Sequence, residues 1–84
     1  MALYMDVHRD LDATLDDVRA AHERDLEIQD QHGVDYQQFW VDEETGTVFC
    51  LFEGPSKAAG TKVHAEAHGL VADECYEVKT GDDH

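Results

Sequence analysis

Tyr36-Gln37-Gln38-Phe39-Trp40-Val41, then Asp42-Glu43-Glu44-Thr45-Gly46, then Thr47-Val48-Phe49-Cys50-Leu51-Phe52-Glu53 reads as strand, turn, strand. Aromatic and β-branched side chains suit the pleated, half-buried surface of a strand. The acidic run ending in Gly46 supplies turn chemistry, with Gly46 the candidate for a left-handed position. The two runs therefore predict a hairpin.

Upstream of it, Leu15, Val18, Ala21, His22, Leu26 and Ile28 recur at helical spacing. Thr14 with Asp17 makes a capping box in which Asp replaces the usual Glu. Asp16 and Asp17 suit the helix dipole, and Gly33 after His32 supplies the stop. A helix is expected over 14–32, preceded by an alternating strand over 2–8. Downstream, Gly54-Pro55 ends the hairpin and Ser56 caps a second helix over 57–68, closed by Gly69. Gly60 weakens that helix. Residues 75–79 form a last strand, and the tail over 80–84 is expected to fray. The order β-α-β-β-α-β predicts a single domain over 1–84, an α+β ferredoxin-like sandwich with a four-stranded antiparallel sheet and two helices on one face. In that topology the strand order is 4-1-3-2, so the first and third strands are central neighbours.

The chain has 84 residues, enough for a thin core only. Small domains are often stabilised by oligomerisation, so a homodimer is expected. Twenty acidic residues stand against 6 Lys plus Arg, a formal net charge of −14. That field repels nucleic acid and anionic membrane surfaces. The 42% hydrophobic content argues against a disordered acidic segment. The acidity fits a halophilic protein whose self-repulsion is screened by salt, with an ordinary acidic protein as the alternative. The apolar start stops at Asp6, short of a signal-peptide core, and no run approaches a membrane span. A cytoplasmic location is expected, where the two cysteines, Cys50 and Cys75, are free thiols. In the predicted topology these cysteines flank the first strand at roughly 9–10 Å, too far for a bridge.

Alternation divides the strands into two faces. Met5, Val7, Phe39, Val41, Phe49, Leu51, Tyr76 and Val78 make the more apolar set, expected to meet the helices. The opposite set mixes Asp6, His8, Gln38, Cys50, Cys75 and Glu77 with Tyr4, Tyr36, Trp40, Val48 and Phe52. That mixture suits a helix-free face covered by a partner or lined as a cleft. Asp6, His8 and Cys50 thereby share one face. Imidazole and thiolate are ligands for Ni, Cu, Zn and Fe. The plain alternative is a buried Cys50 and a His8 hydrogen-bonded to Asp6.

His64-Ala65-Glu66-Ala67-His68 is not a metalloprotease motif, because Glu does not directly follow the first His. The pair His64 and His68 can chelate a metal from one helix face; alternatively, one packs and the other is solvated. His22 and Asp25 lie on one side of the first helix, either as a simple hydrogen-bonded pair or as a group supporting a metal ligand. His32 sits at a helix end where the dipole favours it, and His84 lies in the acidic tail.

The runs Met5-Asp6-Val7-His8-Arg9, Ala21-His22-x-x-Asp25-Leu26, Gly46-Thr47-Val48-Phe49-Cys50-Leu51, Val63-His64 and Ala72-Asp73-Glu74-x-Tyr76 resemble a family of small single-domain bacterial proteins that includes an actinobacterial nickel-binding member. The resemblance covers about residues 3–78. It implies a ferredoxin-like fold, a homodimer and metal binding, with nickel as the ion. Asp6, His8, His22, Cys50 and His64 match positions of that family. The run Ala67–Val71 departs from the nickel-binding member, which carries Gly-His-Pro there, so the resemblance assigns His68 no role. The expected function is a small metal-binding protein, for nickel or a similar divalent ion, with its site on the helix-free face of the sheet. His8 and Cys50 are the first ligands expected, Asp6 a third ligand or an orienting group, and the resemblance adds His22 and His64 as matching positions. The alternative is a small oxygenase-like or isomerase-like dimer, or a ligand-binding module, using the same face as a cleft.

Overall fold

The structure, a computed structural model, describes residues 1–81; His84 and most of the expected fraying tail lie outside the described residues. In chain order the elements are β1 (Ala2–His8), α1 (Leu15–Ile28) with a 3₁₀ turn (Gln29–His32), β2 (Asp35–Asp42), β3 (Thr47–Gly54), α2 (Lys57–Ala67) and β4 (Glu74–Val78). The strands form one antiparallel sheet in the order β2-β3-β1-β4. This is the ferredoxin-like arrangement expected from the element order, with β1 and β3 central.

Local chemistry sets the boundaries. Thr14 accepts from the Asp17 amide while the Asp17 carboxylate accepts from the Thr14 amide, a complete capping box. The first helix ends sooner than its periodicity suggests. Its last turn tightens into the 3₁₀ segment, which Gly33 closes at φ +68°. Ser56 caps α2 through the Ala59 amide. Gly46 takes φ +71°, and a Cβ there would come within 2.4 Å of the Leu11 carbonyl oxygen. The tight hairpin turn therefore also clamps the loop after β1, whose Leu11 amide donates to Gly46 O at 2.9 Å.

The faces of the sheet are sorted opposite to the hydrophobicity-based expectation. The helices cover the face bearing Tyr4, Asp6, His8, Tyr36, Val48, Cys50 and Phe52, all buried. Met5, Phe49 and Leu51 occupy the helix-free face and are only half-buried, beside Trp40 at 43% and Tyr76 at 49% exposure. Asp6, His8 and Cys50 do share a face, as alternation requires, but it is the covered one. The β2 pattern also slips. A register shift between Tyr36 and Gln38 pairs Phe39 with Cys50 and Val41 with Val48, which puts them under the helices. The same shift turns Gln38 and Trp40 to the free face opposite Leu51 and Phe49.

Two helix readings change for the same reason. On α1 the inward positions include Val18, Ala21, His22 and Ile28 together with buried Asp25, while Leu15 and Leu26 are exposed. On α2, Gly60 is a packing requirement rather than a weakness. A Cβ there would sit 2.4 Å from the Phe52 ring, and Phe52 is fully buried.

Candidate metal centre

Asp6 lies in the middle of a row across the sheet. Cys50 on β3 is its partner on one side and Cys75 on β4 its partner on the other. His8 lies two residues along β1, opposite Val48, so it is a diagonal neighbour of Cys50 rather than its direct partner. The third donor comes from above. His64, on the inward side of α2, is 1% exposed and its ring centroid is 5.1 Å from that of His8. Ligand atoms of His8, Cys50 and His64 all lie within 4.8 Å of one another. Both cysteines are free, as expected.

His64 is held between two carboxylates. Its Nδ1 is 2.9 Å from Asp25 Oδ1. Its Nε2 is 3.0 Å from Asp6 Oδ2, but out of alignment, so this buried nitrogen has no hydrogen-bond partner. Burial works against protonation of the ring; Asp25 and then Asp6 outweigh it and push its pKa up to about 11. Burial raises the Asp6 pKa, yet His64, Tyr36 and Cys75 hold it below the ordinary carboxylate value. Asp25 behaves alike under His64 and His68. The Tyr36 hydroxyl shares its hydrogen between Asp6 Oδ2 at 2.7 Å and the Gly60 carbonyl at 3.2 Å. Burial and then Asp6 raise its pKa, and the same two causes push the Cys75 thiol up to about 12.

The two remaining ligand types are tuned differently. Burial, then the nearby His64 charge, lowers the His8 pKa, which keeps its imidazole neutral and open to coordination. Burial raises the Cys50 pKa against the opposing pull of His64, which favours the neutral thiol.

His68, to which the family resemblance assigned no role, is part of this network. Its side chain is buried, and its Nε2 lies 3.0 Å from the same Asp25 Oδ1 that meets His64. The Leu70 amide donates to His68 Nδ1 at 3.0 Å, which assigns the ring proton to Nε2, facing Asp25. Asp25, His64 and His68 make a second group of mutually close ligand types. In it, however, both His68 nitrogens are already engaged by protein. The sequence singled out Asp25 but paired it with His22; its partners are His64 and His68 on α2 and its end, which no local spacing on α1 reveals.

His22 behaves differently from the expected His22–Asp25 pair. Asp25 is taken by His64 and His68, while His22 packs tilted against Phe39, ring centroids 4.8 Å apart, and its buried Nδ1 has no partner. Burial lowers its pKa, more than the Asp25 charge restores. His22 belongs to neither three-donor group. It lines a cavity of about 70 Å³ between α1, the loop after β1 and the sheet, whose walls also include His8, Asp25 and Cys50. His32 is not simply a dipole-placed group at a helix end, because its Nε2 pairs with Glu66 on α2.

Residues 4–78 match the family described as nickel responsive protein, SCO4226-like. A crystal structure of SCO4226 from Streptomyces coelicolor A3(2) superimposes with a TM-score of 0.88 at 42% sequence identity, covering 95% of this chain and 99% of that one. No curated protein matches the chain. No helix among the described residues is long and apolar enough to cross a membrane. The ferredoxin-like fold, the match over nearly the whole chain and the shared sequence together place this protein in the nickel-responsive SCO4226-like family.

Proposed function

We propose that this chain binds a divalent transition metal, nickel first, between His8, Cys50 and His64. One observation carries the reading: three buried donors from β1, β3 and α2 converge within 4.8 Å, and one of them, His64 Nε2, is buried without a hydrogen-bond partner. A buried nitrogen left unsatisfied costs about 1–3 kcal/mol, and coordination removes that cost. Two imidazoles and a thiol suit nickel, copper or zinc. Membership of a nickel-responsive family favours nickel among these. Asp25 fixes His64 with Nε2 turned to the site, the carboxylate–histidine arrangement that orients a metal ligand. Asp6 supplies nearby negative charge, and His22 borders the cavity beside the donors. The bound ion supplies positive charge to a core that already holds two carboxylates.

The group formed by Asp25, His64 and His68 is the weaker candidate, because Leu70 and Asp25 already occupy both nitrogens of His68. An organic substrate larger than a few heavy atoms is also disfavoured, because the cavity has only about 70 Å³. Equilibrium dialysis with elemental analysis tests the assignment. Wild type should retain a nickel ion that His8→Ala and Cys50→Ala both lose. Equal stoichiometry in all three proteins would sink it.

The same reading includes a cytoplasmic homodimer, in keeping with two free thiols. The helix-free face carries Trp40, Tyr76, Phe49, Leu51 and Met5 together, an apolar surface that a second copy would cover. Sedimentation velocity should show a dimer for wild type and a monomer for Trp40→Glu. A monomeric wild type would remove this part of the reading.

A further inference from the structure

We propose that the cavity beside His8 and Cys50 receives a small neutral nitrogen base, of the size of imidazole, as an exogenous ligand of the bound metal. This rests on the metal reading above and goes one step further. Three protein donors leave a coordination position open, and the structure shows where that position has room. The cavity of about 70 Å³ meets the donor side chains of His8 and Cys50, and its other walls include Val18, Ala21 and Leu70.

Size, charge and hydrogen bonding each narrow the ligand class. The volume suits a molecule of a few heavy atoms, and the apolar walls favour one with a hydrocarbon body. Asp6 and Asp25 are both buried, and a metal-bound Cys50 is a third anionic group. An added anion would be a further buried negative charge without a counter-charge, which is costly. The ligand is therefore neutral. His22 supplies the last constraint. Its ring borders the cavity, and its Nδ1 lacks a protein partner. A base that offers a lone pair to the metal and an N–H to His22 satisfies both. Coordination here is a ligand addition: the base donates one electron pair, displaces any water at that position and retains its N–H.

The experiment uses the full chain loaded with Co(II), whose visible bands report coordination and whose thiolate charge-transfer band reports Cys50 ligation. Imidazole should shift the visible bands of wild type, with half-saturation at a concentration roughly tenfold below that of azide. Ala21→Phe fills the cavity from α1. Leu70→Trp narrows it from an exposed loop position, where folding is little at risk. Both variants should keep the thiolate band and lose the imidazole shift. If wild type shows the thiolate band but no imidazole shift, the proposal fails while the metal site stands. An undiminished shift in a folded filled variant, or azide binding as tightly as imidazole, also overturns it. A missing thiolate band in wild type removes the metal reading, and this proposal with it.

Discussion

His64 Nδ1 lies 2.9 Å from Asp25 Oδ1, joining α2 to α1 through two side chains that are almost wholly buried. The contact spans 39 residues, and it decides which nitrogen of His64 faces the sheet. With Nδ1–H committed to the carboxylate, Nε2 is left beside Asp6, His8 and Cys50. His68 presses on the same Asp25 oxygen, so the carboxylate is anchored from two sides.

Asp25→Asn should therefore weaken nickel binding by about 10–100-fold, the usual effect of losing the carboxylate behind a ligating histidine. The substituted amide can turn its NH₂ toward His64 and reverse the ring's tautomer. Nitrogen-15 NMR of the metal-free protein would show His64 protonated on both nitrogens in wild type and neutral, with its proton on Nε2, in the variant. Unchanged affinity with unchanged protonation would rule out the orienting role.

The metal-free protein should be most stable near pH 6.5. His8 and His22 have folded pKa values below their ordinary 6.5, so the unfolded chain binds more protons just below that pH and stability rises toward it. His64 is raised from 6.5 to about 11. Its contribution is fully present below 6.5 and is lost as pH climbs through 11. The Cys75 thiol, raised from 9.0 to about 12, adds to the loss at the alkaline end. Thermal unfolding between pH 5 and 10 in the presence of a chelator measures this. In His64→Gln the decline between pH 7 and 9 should largely disappear. A wild-type melting temperature that still rises through that window would contradict the assignment of His64 as a buried cation.

Gly60→Ala should destabilise the fold, although alanine is the better helix former by about 1 kcal/mol. The added methyl would fall 2.4 Å from the Phe52 ring, and overpacking of that kind costs about 1–3 kcal/mol. The same displacement would move the Gly60 carbonyl that Tyr36 contacts. Urea unfolding should place the variant midpoint below wild type; a higher midpoint would mean that Phe52 moves aside freely.

Salt should stabilise the protein strongly. A net charge of −14 on 84 residues is unscreened at low ionic strength and felt over only ~3 Å at about 1 M salt. Each kcal/mol recovered from self-repulsion raises the melting temperature of a domain this size by about 4–8 °C. A melting temperature that stays flat from dilute buffer to molar NaCl would remove the halophilic reading.

Element order and caps were legible in the chain because they depend on near neighbours. Thr14 with Asp17, Ser56, Gly33 and Gly46 act within a few residues, and the hairpin follows from its turn. The family motifs were legible for the same reason, as short runs at regular spacing. The sorting of faces was not. Hydrophobicity assigned Met5, Phe49 and Leu51 to the helices, because an isolated strand offers no reason to bury Asp6 and His8. Asp25 and His64, brought in by two helices, make that burial tolerable by supplying partners across 39 residues. The shift after Tyr36 likewise depends on pairing with β3 and leaves no mark in the alternation of β2.

Alternation by itself determined that Asp6, His8 and Cys50 share one face of the sheet, since successive strand side chains must point to opposite sides. The element order determined that β1 and β3 are neighbours. Only the tertiary structure decided that this face lies beneath the helices, that His64 comes within 4.8 Å of the ligand-type atoms of His8 and Cys50, and that Asp25 meets both His64 and His68. The reason is that compensation of buried charge is a property of groups that meet in space, and those groups are far apart in the chain.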